Sequence, residues 1–550
     1  MSCDKLIELL PLALYAETHF RFFRGFPSLL FKREPEIIFD MPRRLDPQQD
    51  LPLILLANDI HHYPIIPQTV SVTVSQAGTS PVLHKIEEIE QYELDHPLKS
   101  QCRAWCIPIE RRCLPQGEIL INARLDYRKM KNGLQSGDLL TVLNDNLRTS
   151  SKLSFNCYVS DTYLPGRDLC TYGDMHCHSQ FSRSHVEFGP PLEIIDRVAA
   201  SSGIDFVALT DHSYDLACDK DDYLKQDQSL SMWKSYDETF NAGSFNSVML
   251  QGEEVSCLNS NSEVVHLCAL GTTGFIPGTL DGARKNRFFK EQFTINQAVT
   301  EIVRQGGYPY AAHPGANCSL LQKVLLHRGK WSLKDLKSGI EGVQALNGTL
   351  LGSWKRGKTL WIKALQEGYR LPLLAGNDSH GDFNRYRAIA QPFLKIHEDN
   401  QRFMGHARTG VYGKRSTQNE IIGALRAGKT FVTNGPFACI SGSESAEDSV
   451  ISTTSLLSSL KSLYVLASTT EEIGTIEEIR VLCGKPESSE EEVVFSKQYP
   501  TQELTITECF SVEKLPKECY LRMELSGENK KGLPLMAATS ACFLGDYNNH

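Results

Sequence analysis

Among the sixteen cysteines of this chain there is no C-x-x-C pair, so neither a dithiol redox motif nor a cysteine zinc ribbon is encoded. Thiols scattered over 550 residues read as reduced cysteines, most of them small buried hydrophobes, in a cytoplasmic protein. No stretch approaches the ~20 apolar residues of a membrane span. Residues 6–16 are apolar, but Asp4 and Glu8 stand where a secretory leader needs positive charge, and Glu17 and His19 follow without a small-residue cleavage site. There is no basic excess: the formal net charge is −9, which excludes a general nucleic-acid surface or a polybasic membrane binder. No fixed-period repeat occurs.

What is present is ordinary globular composition, 41% hydrophobic and 22% charged. The length calls for about three domains. Residues 1–168 begin with an aromatic, basic stretch (20–33) and continue in short β-like runs, 51–56, 69–75, 118–125 and 153–159, which suggest a β-rich domain, a sandwich among the options. His61 and His62 read as a surface pair. Residues 169–435 alternate apolar runs (172–178, 206–212, 248–255, 264–270, 308–313, 343–347, 371–380) with amphipathic helix candidates at 192–200, 295–304 and 354–367. Strand then helix, about seven times over, argues for an α/β class with a parallel β/α barrel. Residues 436–550 return to β-like runs (463–467, 479–483, 492–495, 504–509, 519–525, 535–544) behind a Ser/Thr/Glu-rich stretch at 441–462.

The chemistry-bearing residues collect at the ends of the central runs. The first ends Asp174-Met175-His176-Cys177-His178, and positions i and i+2 of a strand share a face, so both imidazoles reach one point while Cys177 turns away. His185 follows in the next loop. The second run ends Thr210-Asp211-His212, and the third carries Glu253 and Glu254, only one of which can point inward. The fourth and fifth bring His266 and His313, the latter followed by Pro314 and Gly315, and the seventh ends in Asp378-Ser379-His380. Seven of the sixteen histidines thus lie at or just past run ends. Imidazoles and carboxylates crowded into one mouth each need a partner, and divalent cations supply it. Nitrogen and oxygen donors without thiolate suit Zn²⁺, Mn²⁺ or Fe²⁺ better than Ca²⁺. Two or three ions are expected.

The ordered motifs DMHCHS, LTDHS, GEEVS, VVHLCALG, AAHPG and GNDSHG, with ALRAGKTFVTNGPF at 424–437, resemble those of the PHP (polymerase and histidinol phosphatase) metallohydrolases, and most nearly their CehA/McbA-like branch. The resemblance covers residues 171–436 and leaves the first 168 outside it. It implies a distorted seven-stranded (β/α)7 barrel, flanked here by N- and C-terminal β-rich domains. It also implies a first metal on His176, His178, Glu254 and Asp378, a second completed by His266 and His313 with Glu254 bridging, and a third on His212 and His380, which would instead bind the substrate's anionic group if no third ion is held. His185 is the one candidate in the first loop for that third ion, at a spacing slightly off the family's. Glu254 is favoured over Glu253 because Gly-x-Glu followed by an apolar residue and Ser is the family's arrangement.

On this reading the protein is a hydrolase whose metal-bridging hydroxide attacks a phosphomonoester or nucleotide-type small molecule. Asp378, His212 and His380 would act at the reacting centre, the two histidines as proton donors where not coordinated. Asp211 and Asp174 would orient imidazoles. Arg183, Arg385 and Arg387 are candidate phosphate cations. A carboxylic or carbamate ester hydrolase is the alternative, with Tyr214, Phe288, Phe289 and Trp354 lining a more apolar mouth. A non-catalytic module in a larger assembly is the third reading.

Overall fold

Strands dominate the fold. Residues 34–58, 60, 63–76, 82–86, 102–131, 134–146, 153–182, 189–221, 225–278, 293–318, 323–324, 326–350, 352–384, 386–390, 395–399, 403–444, 461–485, 488, 490–501 and 503–544 are described in this computed structural model. They hold twenty-eight strands and seven α-helices, two of the helices only four residues long.

In the N-terminal unit, strands Glu36–Asp40, Leu51–Asn58 and Cys102–Ile109 form one antiparallel sheet. A second sheet is built around Gly117–Lys131, paired with Ile65–Ser75, Leu134–Leu143 and Phe155–Val159. Alternation along Gly117–Lys131 buries Ile119, Ile121, Ala123, Leu125 and Tyr127, while Leu120 faces solvent. Both sheets contribute to a single apolar core. At the other end of the chain, Phe437–Ser441, Ser462–Ser468 and Thr505–Ser511 form a small sheet that shares a core with Thr475–Gly484 and Cys519–Glu528.

Between these lies one large mixed sheet of fourteen strands. Its order runs Leu373–Gly376, Gly342–Asn347, Tyr308–Ala311, Val264–Leu270, Val248–Leu258, Phe206–Leu209, Cys170–Cys177, Arg408–Tyr412 and Thr430–Thr433, and then continues into C-terminal strands through Pro534–Thr539.

The expectation of an α/β chain built on a (β/α)7 PHP barrel is therefore corrected: this is a β-rich chain whose central strands belong to a mixed sheet. Val264–Leu270 runs antiparallel to both of its neighbours, Val248–Leu258 and Tyr308–Ala311. The reason is connection length. Only residues 259–263 separate Val248–Leu258 from Val264–Leu270, whereas a parallel crossover takes a dozen or more. Nor does the sheet stop at seven strands, because Arg408–Tyr412 pairs antiparallel with Cys170–Cys177 and carries it onward.

Several of the described helices back the central strands. Leu192–Ser202 follows Pro190 and Pro191 and ends at Gly203, whose φ of 81° suits a residue without Cβ. Ile295–Arg304 opens on a capping box between Thr294 and Gln297 and buries Ile295, Ala298, Val299 and Ile302, an i, i+3, i+4, i+7 face. Gly352–Gln366 lies on Gly342–Asn347, where a Cβ on Gly357 would stand 3.0 Å from the Ala345 carbonyl oxygen. No described helix is long and apolar enough to cross a membrane.

One consequence of the curl of this sheet places the site. The segment after Leu373–Gly376 returns beside Cys170–Cys177: the Asp378 amide donates to the His176 carbonyl (2.8 Å) and the His178 amide to that of Ser379 (2.9 Å). Six of the seven central runs, all but 343–347, thereby bring candidate ligand side chains to one hollow, His266 from the start of its antiparallel strand.

Candidate metal centre

Glu254 sits at the centre of that hollow. In the antiparallel register Glu254 lies opposite Cys268 and Ser256 opposite His266, so Glu254 and His266 are diagonal neighbours on one face. His266 Nδ1 stands 2.6 Å from Glu254 Oε1, and His313 Nε2 3.0 Å from the same oxygen. His212, bridged to Glu254 across the parallel pair of strands, places Nδ1 2.8 Å from Oε2. His176 Nε2 is 3.4 Å from Oε1 and His178 Nε2 3.6 Å from Oε2. Asp378 completes the ring, its Oδ1 3.1 Å from His178 Nε2 and 3.4 Å from His176 Nε2.

These donors fall into three groups, each with ligand atoms within 4.8 Å of one another: His176, His178, Glu254 and Asp378; Glu254, His266 and His313; and His178, His212 and His380. Eight of the nine expected ligands are thus brought together. The ninth, His185, lies outside the described residues, as do His61, His62, Arg183, Arg385, Phe288 and Phe289 and the side chain of Arg387. Glu253 is one residue out of phase and turns away, accepting from Ser213 Oγ (3.1 Å) and the Ile276 amide (3.0 Å). Burial pushes its carboxyl up to about 8. Cys177 likewise packs into an apolar cluster with Leu192 and Ile195.

The residues present fit divalent cations. His212 Nδ1 stands 2.8 Å from Glu254 Oε2 and His266 Nδ1 2.6 Å from Oε1, so both oxygens of one buried carboxylate meet imidazole nitrogens at a single point, the convergence of donors that a shared ion takes. The donor set of imidazole nitrogens and carboxylate oxygens suits zinc, manganese or iron.

Charge in the hollow is arranged accordingly. Burial works against the Glu254 carboxylate, but His266 and His176 outweigh it and hold its pKa well below the usual range. Asp378 is held low against burial in the same way by His176 and His178. Burial lowers His178, helped by its neighbours His380 and His212, and lowers His380 to about 4. Both rings therefore present lone pairs at neutral pH. Burial also opposes protonation of His212 and His176, but the carboxylates, with Cys268 beside His176, more than compensate and raise both.

Behind the ligands stands a layer of polar partners. His176 Nδ1 pairs with Gln344 Oε1 at 2.9 Å, which leaves Nε2 for the hollow. His178 Nδ1 pairs with Ser182 Oγ (2.9 Å), and Ser182 donates to Asp211 Oδ1 (2.8 Å). Asp211 also accepts from the Ser179 amide and hydroxyl. It thus reaches His178 through Ser182, not as one of the grouped metal-ligand candidates. Asp174 touches no ring; it accepts from the backbone of His176, Asn377 and Gly405 and from Asn377 Nδ2, and burial raises its pKa to about 6. Gln344 and Ser182 were not singled out from the sequence; the nearest signal is that each is a polar residue in or beside an apolar run.

The hollow opens at Asp378, with its side chain 32% exposed, at His313, at 14%, and at the half-buried His380; the other ligands just described are buried. Both residues hold positive φ, 55° for Asp378 and 31° for His313, a strained conformation for non-glycine residues. Tyr214 does not line this mouth: it is fully buried and stacks on His212 at 4.5 Å, continuing a column of rings through His178 to His380. Trp354 is buried in the core as well.

No family model matches the chain, and no curated protein matches it. Among solved structures, the β-glucuronidase of Parabacteroides merdae aligns at 10% identity and a TM-score of 0.19, over 93% of this chain and 64% of its own. Bacteroides uniformis β-glucuronidase 2 aligns at 11% identity and a TM-score of 0.16, over 92% and 61%. The chain spans less than two thirds of the length of these enzymes, and likenesses at such scores carry no argument about fold or activity.

Proposed function

We propose that this protein is a metal-dependent hydrolase, a phosphoesterase acting on a phosphomonoester or nucleotide-type small molecule. The observation that carries the reading is a single buried carboxylate, Glu254, within 3.6 Å of five imidazoles brought in by four different strands. His176, His178, Glu254 and Asp378 would hold one divalent cation, and Glu254, His266 and His313 a second. His212 and His380, with His178 beside them, form a third group of donors. Zn²⁺, Mn²⁺ or Fe²⁺ bound there supplies Lewis acidity toward a phosphoryl oxygen and lowers the pKa of water.

The rest falls to the chain. Gln344 and Ser182 fix which ring nitrogen of His176 and His178 faces inward. Burial of the ligands keeps bulk water from screening the site. Asp378 and His313, at the rim, are the first side chains a substrate meets. Resemblance of the ordered motifs to the PHP metallohydrolases favours phosphorus over carbon as the centre attacked. We also infer a reducing, cytoplasmic compartment, supported by the free thiols of the described cysteines.

The test is hydrolysis by purified protein loaded with Mn²⁺ or Zn²⁺, comparing a chromogenic phosphomonoester, a phosphodiester and an acetate ester, with Asp378→Ala as control. Phosphoester turnover that disappears in the variant is the expected result. Turnover of the acetate ester alone would move the assignment to a carboxyl or carbamate ester hydrolase. No turnover with metal bound would count against an enzyme of this class.

A further inference from the structure

The segment that carries Asp378 and His380 is held from two sides. At its start Asn377 is tied to Asp174, through its amide (3.1 Å) and Nδ2 (2.6 Å), and to Ala407. Its far end is tied to a different part of the molecule. Asp40, the last residue of strand Glu36–Asp40 in the N-terminal unit, is fully buried. Its carboxylate accepts from the Phe383 amide (3.2 Å) and the Asn384 amide (3.0 Å), and from its own neighbour Met41 (2.8 Å). Arg43 donates to the Asn384 carbonyl (3.0 Å), and Asn384 Nδ2 donates to the Asn156 carbonyl (2.8 Å). Phe383 is buried in a cluster with Ile38, Ile54 and Leu56 of the same unit.

Between the two anchors Asp378 holds a φ of 55°. Such a conformation costs on the order of 1–3 kcal/mol and persists only where the surroundings over-determine it. Within the segment the Ser379 carbonyl accepts from the His178 amide and the Asp382 carbonyl from the Met404 amide (each 2.9 Å), and the Asp40 anchor fixes the end that lies three residues past His380.

We propose that Asp40 is a positioning residue for the metal centre, and that the N-terminal β unit serves to fix the geometry of segment 378–380 rather than to stand apart from the site. Its effect on metal binding rests on the function proposed above; its effect on the backbone does not.

The experiment compares the full-length wild type with Asp40→Ala, Asp40→Asn and Asn384→Ala. It reads amide hydrogen exchange in the metal-free proteins and Zn²⁺ affinity by chelator competition. In Asp40→Ala, amides in 377–384 exchange about 10-fold faster or more, while those of strand Gly342–Asn347 keep wild-type rates, and Zn²⁺ binds about 10-fold more weakly. Asp40→Asn, which retains one acceptor oxygen, recovers most of both. Unchanged exchange in 377–384, or equal acceleration everywhere, overturns the proposal. Should Asp40→Ala not fold, Asn384→Ala cuts the Asn156 tie instead; local acceleration supports the proposal and wild-type exchange overturns it. Absence of Zn²⁺ binding in the wild type would sink the metal reading and leave the exchange result to decide this one.

Discussion

Glu254 and His266 meet at 2.6 Å because the hairpin between their strands sets them diagonally across an antiparallel ladder, with Glu253 facing the other way. Two adjacent glutamates therefore make opposite predictions. Glu254→Gln should weaken metal binding by roughly 100-fold or more, since even partners behind the ligands are worth 10–100-fold. Glu253→Gln should leave metal content near wild type. Chelator competition on both variants checks this, and the reverse pattern would mean the strand register is shifted by one.

Gln344 is buried and pairs with the ring nitrogen of His176 that faces away from the hollow. Gln344→Leu removes that acceptor without adding charge, and should lower metal affinity about 10- to 100-fold while the protein stays folded. Gln344→Glu, which keeps an oxygen in place, should retain most of it. Equal affinity in the Leu variant would show that the pairing does not orient the ring.

Close packing beneath His176 gives a stability prediction. A Cβ on Gly376 would stand 2.7 Å from both Cβ and the amide nitrogen of His176. Gly376→Ala should therefore cost about 1–3 kcal/mol in denaturant unfolding, as overpacking does. A neutral effect would mean that the two strands separate there at little cost.

Away from the centre, burial, with Arg408 and Arg43 adding to it, depresses His406 to about 3. The unfolded chain takes up this proton near 6.5 and the folded one does not, so stability is lost as pH falls from about 6.5 toward 3. His406→Gln should flatten that part of the pH–stability curve by an order of 1–2 kcal/mol at pH 4 to 5. Urea unfolding of both proteins from pH 7 to 4 checks it; parallel curves would contradict it.

The site was far more legible in the sequence than the fold. H-x-H and D-x-H pairs advertise a shared face through strand alternation alone, which is local information. Strand direction is not local. The run at 264–270 looks the same whether it runs up or down, and only the five-residue link before it marks a hairpin. Nor does any short pattern reveal that the large sheet continues past Cys170–Cys177 into strands some 360 residues later. The supporting layer was hidden for the same reason: Gln344 lies 168 positions from His176, and Asp40 is 343 from Phe383.

The most direct test of the central claim is elemental analysis of protein stripped of metal, reloaded with Zn²⁺ or Mn²⁺ and dialysed, with Glu254→Gln alongside. The account predicts two to three ions per wild-type chain and a loss of at least one in the variant. A wild-type chain that retains no metal would contradict it.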